Sequence, residues 1–252
     1  MTEINEELLK KVADIWRNKR FQIVLSGAGI SVASGIPDFR SPGGVWTKFD
    51  PMEVGTAEAL NRNPKKVWEF FLHTLEVLEK AKPNPAHYAL AELEKEGFLK
   101  GIITQNVDNL HQLAGSKNVI EYHGNAYKFY CRKCKKDYSL SEVKAIIKKS
   151  MPPYCECGGL IRPYVIFFGE GIPPDARYKA DLLANQADLI LIVGTSGEVA
   201  PANFIPHIVK HRGGVVVEVN LGETTYKNLS DFRFNQPCEI VLPKLKDLIL
   251  KK

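Results

Sequence analysis

Four of the five cysteines stand in two close pairs, which is the spacing of a metal site. Cys131 and Cys134 are separated by two residues, and Cys155 and Cys157 by one. Four thiolates fill the tetrahedral coordination of Zn²⁺ and leave no open position for water. The pairs therefore predict one structural zinc per chain, with four unpaired reduced thiols as the alternative. Cys238 lies far from both pairs, and we expect it to be a reduced thiol.

A glycine-rich turn, GAGIS at residues 27–31, directly follows a short apolar stretch at residues 21–25. Small residues let backbone N–H groups approach a phosphate at the start of a helix. The dinucleotide fingerprint has a third glycine where this chain has Val32, and no acidic residue ends the next strand. The turn indicates a phosphate site and argues against an ordinary dehydrogenase. A tight strand–helix turn without a ligand is the alternative.

The next segment, SGIPDFR at residues 34–40, places an aromatic residue and an arginine on a loop, and Gly43 and Gly44 follow. A mobile loop of this kind suits closure over a cofactor and exclusion of water from a reactive cation. The alternative is a surface turn in which Phe39 fills the core.

Small polar residues follow three apolar runs, at the positions where α/β proteins gather their ligands. TQNVD ends the run at 101–104, GTS follows 189–193, and NLG follows 215–219. An amide and a carboxylate two residues apart, Asn106 and Asp108, can bind a carboxamide and orient a water molecule. The alternatives are a helix N-cap for TQNVD and ordinary loops for the other two.

One histidine, His123, stands between these motifs and the cysteine pairs. A neutral imidazole near pH 7 can act as a general base, although a lone histidine is more often structural. We expect structural roles for the remaining histidines, which are His73, His87, His111, His207 and His211.

The elements that must position these residues follow an α/β pattern. Continuous apolar runs at 21–25, 101–104, 163–168, 189–193 and 215–219 alternate with helical periodicity near 85–97, 174–187, 199–211 and 243–250. This alternation predicts a doubly wound parallel sheet covered by helices on both faces.

Two segments interrupt the alternation, 41–82 and 125–162, and both are interpreted as parts of a smaller domain. The first holds a helix with an apolar stripe at Val67, Phe71, Leu75 and Leu78. The second holds the cysteines and little that could form a core.

The composition of the 252 residues, 44% hydrophobic and 25% charged, is that of a soluble globular enzyme. No apolar run approaches the roughly 20 residues of a membrane span, and the acidic, amphipathic N-terminus does not resemble a signal peptide. The net charge of +5 does not by itself indicate nucleic-acid binding. We therefore expect a cytoplasmic protein.

Taken together and in this order, the motifs resemble the sirtuin family of NAD-dependent protein deacylases, in its prokaryotic form. They are GAGIS, SGIPDFR, TQNVD, a His-Gly pair after Glu121 and Tyr122, the four cysteines, FFGE at 167–170, GTS and NLG. The resemblance implies a Rossmann-like NAD-binding domain from residues 1–40, 83–124 and 163–252. It implies a smaller domain built from a helical module, 41–82, and a zinc module, 125–162.

In that family NAD is a consumed co-substrate. The resemblance implies that Ala28, Gly29 and Ser31 hold the pyrophosphate, that Asp108 binds the nicotinamide carboxamide, and that Ser196 lies beside the adenosine. The full set of implied NAD-binding residues is Gly27, Ala28, Gly29, Ser31, Asp38, Phe39, Arg40, Trp46, Gln105, Asn106, Val107, Asp108, Gly194, Thr195, Ser196, Asn220, Leu221, Gly222 and Cys238.

The resemblance also implies the chemistry. The acyl oxygen attacks the ribose carbon that bears nicotinamide, and His123 is the general base that helps the 2′-hydroxyl accept the acyl group. Asn106, in the nicotinamide pocket, is the second implied catalytic residue, and Gln105 lies near the ribose. The implied products are nicotinamide, O-acetyl-ADP-ribose and free lysine. The implied residues on the acyl-lysine side are Ile166, Phe168, Gly169, Glu170, Glu198, Val199, Phe71 and Thr74.

Two departures from the family pattern affect specificity. Glu198, after GTS, is expected to favour basic residues beside the target lysine. Members that remove succinyl or malonyl groups carry a tyrosine and an arginine where this chain has Phe71 and Thr74. Without the arginine a buried acyl carboxylate lacks a charge partner, so deacetylation is expected to dominate.

Three other functions stay open at this point. A desuccinylase or demalonylase and a protein ADP-ribosyltransferase would use the same NAD site. A zinc-ribbon nucleic-acid-binding module would need neither Asn106 nor His123, so the presence of both argues against it.

Overall fold

The structure is a computed structural model that describes residues 4–39 and 42–251. Within these ranges the strands form one six-stranded and one three-stranded sheet. The strands are β1 (Gln22–Ser26), β2 (Gly101–Thr104), β3 (Val119–Glu121), β4 (Gly124–Cys131), β5 (Asp137–Ser139), β6 (Ile161–Val165), β7 (Leu189–Val193), β8 (Val215–Val219) and β9 (Phe232–Phe234). The α-helices are α1 (Glu6–Arg17), α2 (Pro51–Val54), α3 (Ala57–Arg62), α4 (Pro64–Lys80), α5 (Pro85–Lys95), α6 (Leu110–Leu113), α7 (Leu140–Ile147), α8 (Pro174–Gln186), α9 (Ile205–His211) and α10 (Cys238–Leu250).

The larger sheet is parallel throughout and runs in the order β3-β2-β1-β7-β8-β9. Its register aligns the carboxyl ends of the central strands, because Ser26 lies opposite both Thr104 and Val193. The polar segments that follow these strands therefore meet at one edge, as the sequence predicts.

Helices cover both faces of this sheet. On one face α1, α5 and α10 pack against β1, with Trp16, Leu90 and Leu245 in one buried cluster with Val24. On the other face α8 and α9 pack their buried residues against β1 and β7. The doubly wound α/β fold predicted from the alternating pattern is confirmed.

The smaller sheet is antiparallel and contains a strand predicted for the larger sheet. The apolar run at 163–168 was expected to be a strand of the parallel sheet, but β6 pairs antiparallel with β4. The cysteines explain this placement: Cys131 ends β4 opposite Ile161, and the second cysteine pair lies just before β6. The division of the chain into domains at residues 125 and 163 remains a prediction.

The smaller sheet and helices α2, α3, α4 and α7, together called the small unit, also have a core, contrary to expectation. The stripe at Val67, Phe71, Leu75 and Leu78 is buried, as predicted. Apart from Val67, which packs beside α3, the stripe and Trp68 pack against apolar residues of β4 and β6, and the Trp68 indole donates to the Ile161 carbonyl at 3.0 Å. Residues 125–162 thus share their core with α4.

Two helix boundaries differ from the sequence periodicity. The pattern near 199–211 becomes an α-helix only from Ile205, after a 3-10 helix at Ala202–Phe204, with Pro206 in its first turn, where proline is tolerated. The last helix begins at Cys238, five residues before the predicted start, and contains Pro243 in its interior. Among the described residues, no helix combines the length and apolar character needed to cross a membrane.

Candidate active site

The glycine turn lies against the loop after β7 at very short range. Gly27 N–H donates to the Val193 carbonyl at 3.0 Å, and Gly29 N–H to the Gly194 carbonyl at 2.8 Å. A Cβ atom on Gly29 would lie 2.7 Å from Gly194 Cα, and one on Gly194 would lie 2.2 Å from Ile30 N. Only glycine fits this contact. The turn continues as a 3-10 helix, Ala28–Ser34, in place of the α-helix that a dinucleotide fingerprint begins.

Three polar side chains lie beside this turn and are hydrogen-bonded to one another. Ser31 donates to Asp108 Oδ2 at 2.7 Å, and Asn106 Nδ2 lies 3.2 Å from Ser31 Oγ and 3.1 Å from the Gly27 carbonyl. Asp108 is buried, and burial raises its pKa against the hydrogen bonds from Leu110 N–H and Ser31. The structure thus brings together three residues that the sequence analysis placed near nicotinamide or pyrophosphate.

A second chain of contacts joins the ends of β2, β7 and β8. Gln105 Nε2 donates to Thr195 Oγ1 at 3.0 Å. Thr195 N–H donates to Asn220 Oδ1 at 2.8 Å. Three predicted cofactor residues from separate strands are therefore linked directly, while Leu221 beside them is 67% exposed.

His123 lies between β3 and β4, above the same sheet edge. Its carbonyl accepts from Ile166 N–H at 3.0 Å, which places the first predicted acyl-tunnel residue beside it. Burial lowers the pKa of His123, and a hydrogen bond to the Gln105 backbone partly opposes this shift. The imidazole is therefore neutral at pH 7, the form a general base needs.

The loop that contains Asp38 and Phe39 folds back on Trp46. Backbone N–H groups of Val45 and Trp46 donate to the Asp38 and Phe39 carbonyls, and the Phe39 and Trp46 rings stack at 5.2 Å. Trp46 also lies 6.4 Å from the Phe168 ring. The predicted cofactor residue Arg40 lies outside the described residues.

The FFGE segment joins both parts of the small unit. Phe168 N–H donates to the Gly55 carbonyl, and Ala57 N–H to the Phe168 carbonyl. Phe168, predicted to line the acyl-lysine tunnel, is 46% exposed. The carboxylate of Glu170 is held by buried Arg162, with Oε2 at 2.8 Å from Nη2. The side chain of Glu170 therefore stabilises the conformation of this segment. Gly169 beside it adopts φ +88°, a conformation that favours glycine.

Four other predicted residues have particular surroundings. Val107 accepts from Ala126 N–H, and Val199 accepts from Asn203 N–H, so each carbonyl is already bonded within the chain. Glu198 is exposed. Cys238 is buried at the start of α10, and burial raises the pKa of its thiol to about 12, which leaves an inert thiol.

The two positions that bear on acyl choice carry no free donor. Phe71 is buried, and its ring meets Trp68 edge-on at 5.4 Å. Thr74 donates its hydroxyl to the Phe70 carbonyl of its own helix at 3.1 Å.

The four paired cysteines form one cluster. Their sulfur atoms all lie within 4.8 Å of one another, with Cys131 and Cys157 at 3.5 Å and Cys134 and Cys155 at 3.6 Å. Tetrahedral thiolates at a Zn–S distance of about 2.3 Å lie about 3.8 Å apart. The cluster therefore fits one zinc with all four positions filled, and the structure brings the four predicted ligands together.

Two buried histidines lie directly beneath the site. His111 Nε2 lies 2.8 Å from Ser26 Oγ, and the His87 ring centroid is 5.0 Å from that of His111. Burial lowers the pKa of His87 to about 4 and that of His111 well below its usual value. Both are therefore neutral core residues, in agreement with the structural role expected for them.

Two buried charged residues at the site were not singled out from the sequence. Arg162 holds Glu170, and Glu218 on β8 accepts a hydrogen bond from Asn220 Nδ2 at 3.2 Å. The sequence signal for each was a charged residue inside an apolar strand. Burying such a charge costs free energy unless it has partners.

The edge of the larger sheet fits a dinucleotide. Amide, hydroxyl and carboxylate side chains that follow β1, β2 and β7, together with Asn220 after β8, meet there beside the glycine turn. His123 lies next to both this edge and Ile166. The arrangement can hold a nucleotide and supply a neutral base beside a second substrate.

Comparison with known proteins identifies the family. Residues 27–201 match the Sir2 family, so this chain belongs to it. It is 46% identical over 246 residues to an NAD-dependent protein deacetylase of Saccharolobus solfataricus, covering 97% of this chain and 98% of that one. It is 45% identical over 241 residues to an NAD-dependent protein deacylase of Pyrococcus abyssi, covering 94% and 96%.

Solved structures agree with the fold. A Sir2 protein with a deacetylated p53 peptide and 3′-O-acetyl ADP ribose superposes with a TM-score of 0.91 at 38% identity, covering 95% of this chain and 97% of that one. A Sir2 complex with p53 peptide and NAD⁺ gives 0.89 at 38% identity over the same shares. The resemblance inferred from the motifs is confirmed.

We predict one tightly bound zinc per chain, without a part in the chemistry. Cys131→Ala or Cys155→Ala should release the metal and unfold the small unit, because three thiolates cannot close the site. Metal analysis and circular dichroism measure both effects, with Cys238→Ala as a control that keeps its zinc. Absence of zinc from the purified protein, or full activity after complete chelation, would refute the assignment.

The buried histidines should make stability depend on pH. The unfolded chain binds their protons near pH 6.5, whereas the folded chain keeps His87 neutral down to about pH 4. The free energy of unfolding should therefore fall as the pH drops from about 6.5 towards 4. Urea unfolding at several pH values measures this slope. His87→Asn should flatten it, while the same change at exposed His211 should not. An equal slope in the wild type and His87→Asn would contradict the prediction.

Proposed function

We propose that this chain is an NAD-dependent protein lysine deacetylase. It converts NAD and acetyl-lysine into nicotinamide, O-acetyl-ADP-ribose and free lysine. The observation that carries the proposal is the position of neutral His123 beside Ile166, at the sheet edge where Asn106, Asp108 and the glycine turn meet.

Bound NAD supplies an electrophilic ribose carbon and nicotinamide as the leaving group. Gly27, Ala28, Gly29 and Ser31 hold the pyrophosphate, because these small residues form the start of the 3-10 helix at the carboxyl end of β1, a position that favours a phosphate. Asn106 and Asp108 hold the nicotinamide end. The remaining proposed NAD-binding residues are Asp38, Phe39, Arg40, Trp46, Gln105, Val107, Gly194, Thr195, Ser196, Asn220, Leu221, Gly222 and Cys238.

His123 acts as the general base in this proposal. Its lowered pKa keeps the imidazole neutral at physiological pH, ready to accept a proton from a ribose hydroxyl. Asn106 is fixed by its hydrogen bonds to Gly27 and Ser31, and it orients the nicotinamide end of NAD.

The acyl-lysine chain enters beside Ile166 and Phe168, and the target's backbone pairs with Gly169, Glu170, Glu198 and Val199. Support comes from the FFGE segment, which is held rigidly by Arg162 and Gly55. The exposed carboxylate of Glu198 favours basic residues next to the target lysine. We further infer that the two sheets correspond to the two predicted domains, that the protein acts in the cytoplasm, and that it needs no nucleic acid.

A panel of acyl-lysine peptides, incubated with and without NAD and analysed by mass spectrometry, tests the proposal. Loss of acetyl only with NAD, with one O-acetyl-ADP-ribose per lysine, supports it. ADP-ribose attached to protein would indicate a transferase, and DNA binding without NAD turnover would indicate the zinc-ribbon alternative.

We predict that His123→Ala lowers deacetylation by at least about 10²-fold and leaves NAD binding nearly intact. In the wild type, kcat/KM should fall on acidification with a midpoint below 6.5, since burial lowers the pKa of the base. Steady-state kinetics and calorimetry measure these effects, with His211→Ala as the matched control. Turnover near the wild-type rate in His123→Ala would remove His123 from the mechanism.

Acetyl peptides should exceed succinyl peptides in kcat/KM by at least about tenfold. A succinyl carboxylate would lose its water molecules and face the apolar ring of Phe71. The Thr74 hydroxyl already donates to the Phe70 carbonyl. The double change Phe71→Tyr with Thr74→Arg should narrow or reverse the ratio by supplying a donor and a cation. Competition between the two peptides measures it. Equal rates in the wild type would mean that His73 or another cation serves the carboxylate.

A further inference from the structure

A buried carboxylate on β8 lies outside the roles proposed so far. Glu218 is 0% exposed in the middle of an apolar strand. Burying a carboxylate is costly unless it is paired and hydrogen-bonded, so its partners indicate what it is kept for. Those partners all come from residues 220–233, on the side of the site proposed to hold the adenosine.

Each oxygen of this carboxylate has two partners. Oε1 accepts from Asn220 Nδ2 at 3.2 Å and from the Thr224 hydroxyl at 2.6 Å. Oε2 accepts from the Ser230 hydroxyl at 3.0 Å and lies 3.3 Å from Arg233 Nε. The carboxylate therefore gathers one amide, two hydroxyls and one guanidinium.

The contact with Asn220 fixes which way its side-chain amide points. The NH₂ group faces Glu218, so Oδ1 must face Thr195, whose N–H it accepts at 2.8 Å. A reversed amide would place an acceptor against the carboxylate and a donor against Thr195 N–H.

The other partners hold the backbone around the same subsite. Arg233, which forms the ion pair with Glu218 through Nε, donates through Nη2 to the Gly222 carbonyl and so anchors the loop after β8. Thr225, next to Thr224, donates through its N–H to the Ser196 carbonyl at 3.0 Å and through its hydroxyl to the Gly197 carbonyl at 3.1 Å. Glu218 contacts Asn220 directly. It reaches Gly222 through Arg233 and Ser196 through Thr224 and its neighbour Thr225.

We infer that Glu218 is a positioning residue for the adenosine half of NAD. It holds the Asn220 amide, the Gly222 loop and, through the Thr224–Thr225 segment, the Ser196 backbone in one arrangement before the nucleotide binds. Preorganisation of this kind raises affinity because less order has to be created on binding. This inference rests on the proposed function, since it assigns a role within the same NAD site.

The test is Glu218→Gln, which keeps the volume and replaces one oxygen by an NH₂ donor. The new NH₂ group then faces the donors of either Asn220 and Thr224 or Ser230 and Arg233, so the adenosine subsite is less firmly held. Calorimetric Kd for ADP-ribose and KM for NAD should each rise about tenfold, in line with loss of a buried charged hydrogen bond. The kcat at saturating NAD should stay within about twofold. The matched control is Glu223→Gln, on the same loop, where the exposed carboxylate pairs with exposed Lys227.

Unchanged ADP-ribose affinity in Glu218→Gln would overturn the inference. So would a lower Tm and kcat with unchanged KM for NAD, which would indicate a merely structural role. If Glu218→Gln does not fold, Thr224→Val removes one donor and should still raise the ADP-ribose Kd severalfold; an unchanged Kd contradicts the inference. Failure of the wild type to bind ADP-ribose would instead contradict the proposed function.

Discussion

The close contact between the turn after β1 and the loop after β7 constrains the rest of the active site. Gly29 and Gly194 meet with less space than one Cβ atom requires, and two backbone hydrogen bonds hold Gly27 and Gly29 there. Because β2 and β7 end in register with β1, the loops that follow all three strands begin at the same level of the sheet. Asn106 from β2 can then reach the Gly27 carbonyl, and Asn220 from β8 can reach Thr195.

The small unit depends on a second constraint, the cysteine cluster. It joins the end of β4 to the segment before β6, and β6 leads directly into Ile166 and the FFGE segment. The sulfur atoms take no part in the proposed chemistry, but they lie at the base of the strand that leads to the segment proposed to bind acyl-lysine. The helix that bears Phe71, a residue proposed to affect acyl specificity, packs on the same strands and shares one core with the cysteine cluster.

Much of this architecture was predictable from the sequence, because β1, β2, β7 and β8 are short apolar runs that end in small polar residues. The metal ligands were predictable from spacing alone. Local pattern could not reveal pairing partners, so β6 was assigned to the wrong sheet, and β9, with three residues, gave no signal. The partners of Glu218 lie on a loop whose return to β8 is a tertiary feature. The roles of individual site residues came from family resemblance and remain proposals.

The most direct measurement is a crystal structure with acetyl-lysine peptide and an unreactive NAD analogue. The account predicts the pyrophosphate against the backbone of Ala28 and Gly29, the carboxamide beside Asp108, and the acetyl oxygen near the His123 side of the ribose. An analogue bound away from the Gly27–Gly194 contact, or an acetyl group that enters without approaching His123, would contradict it.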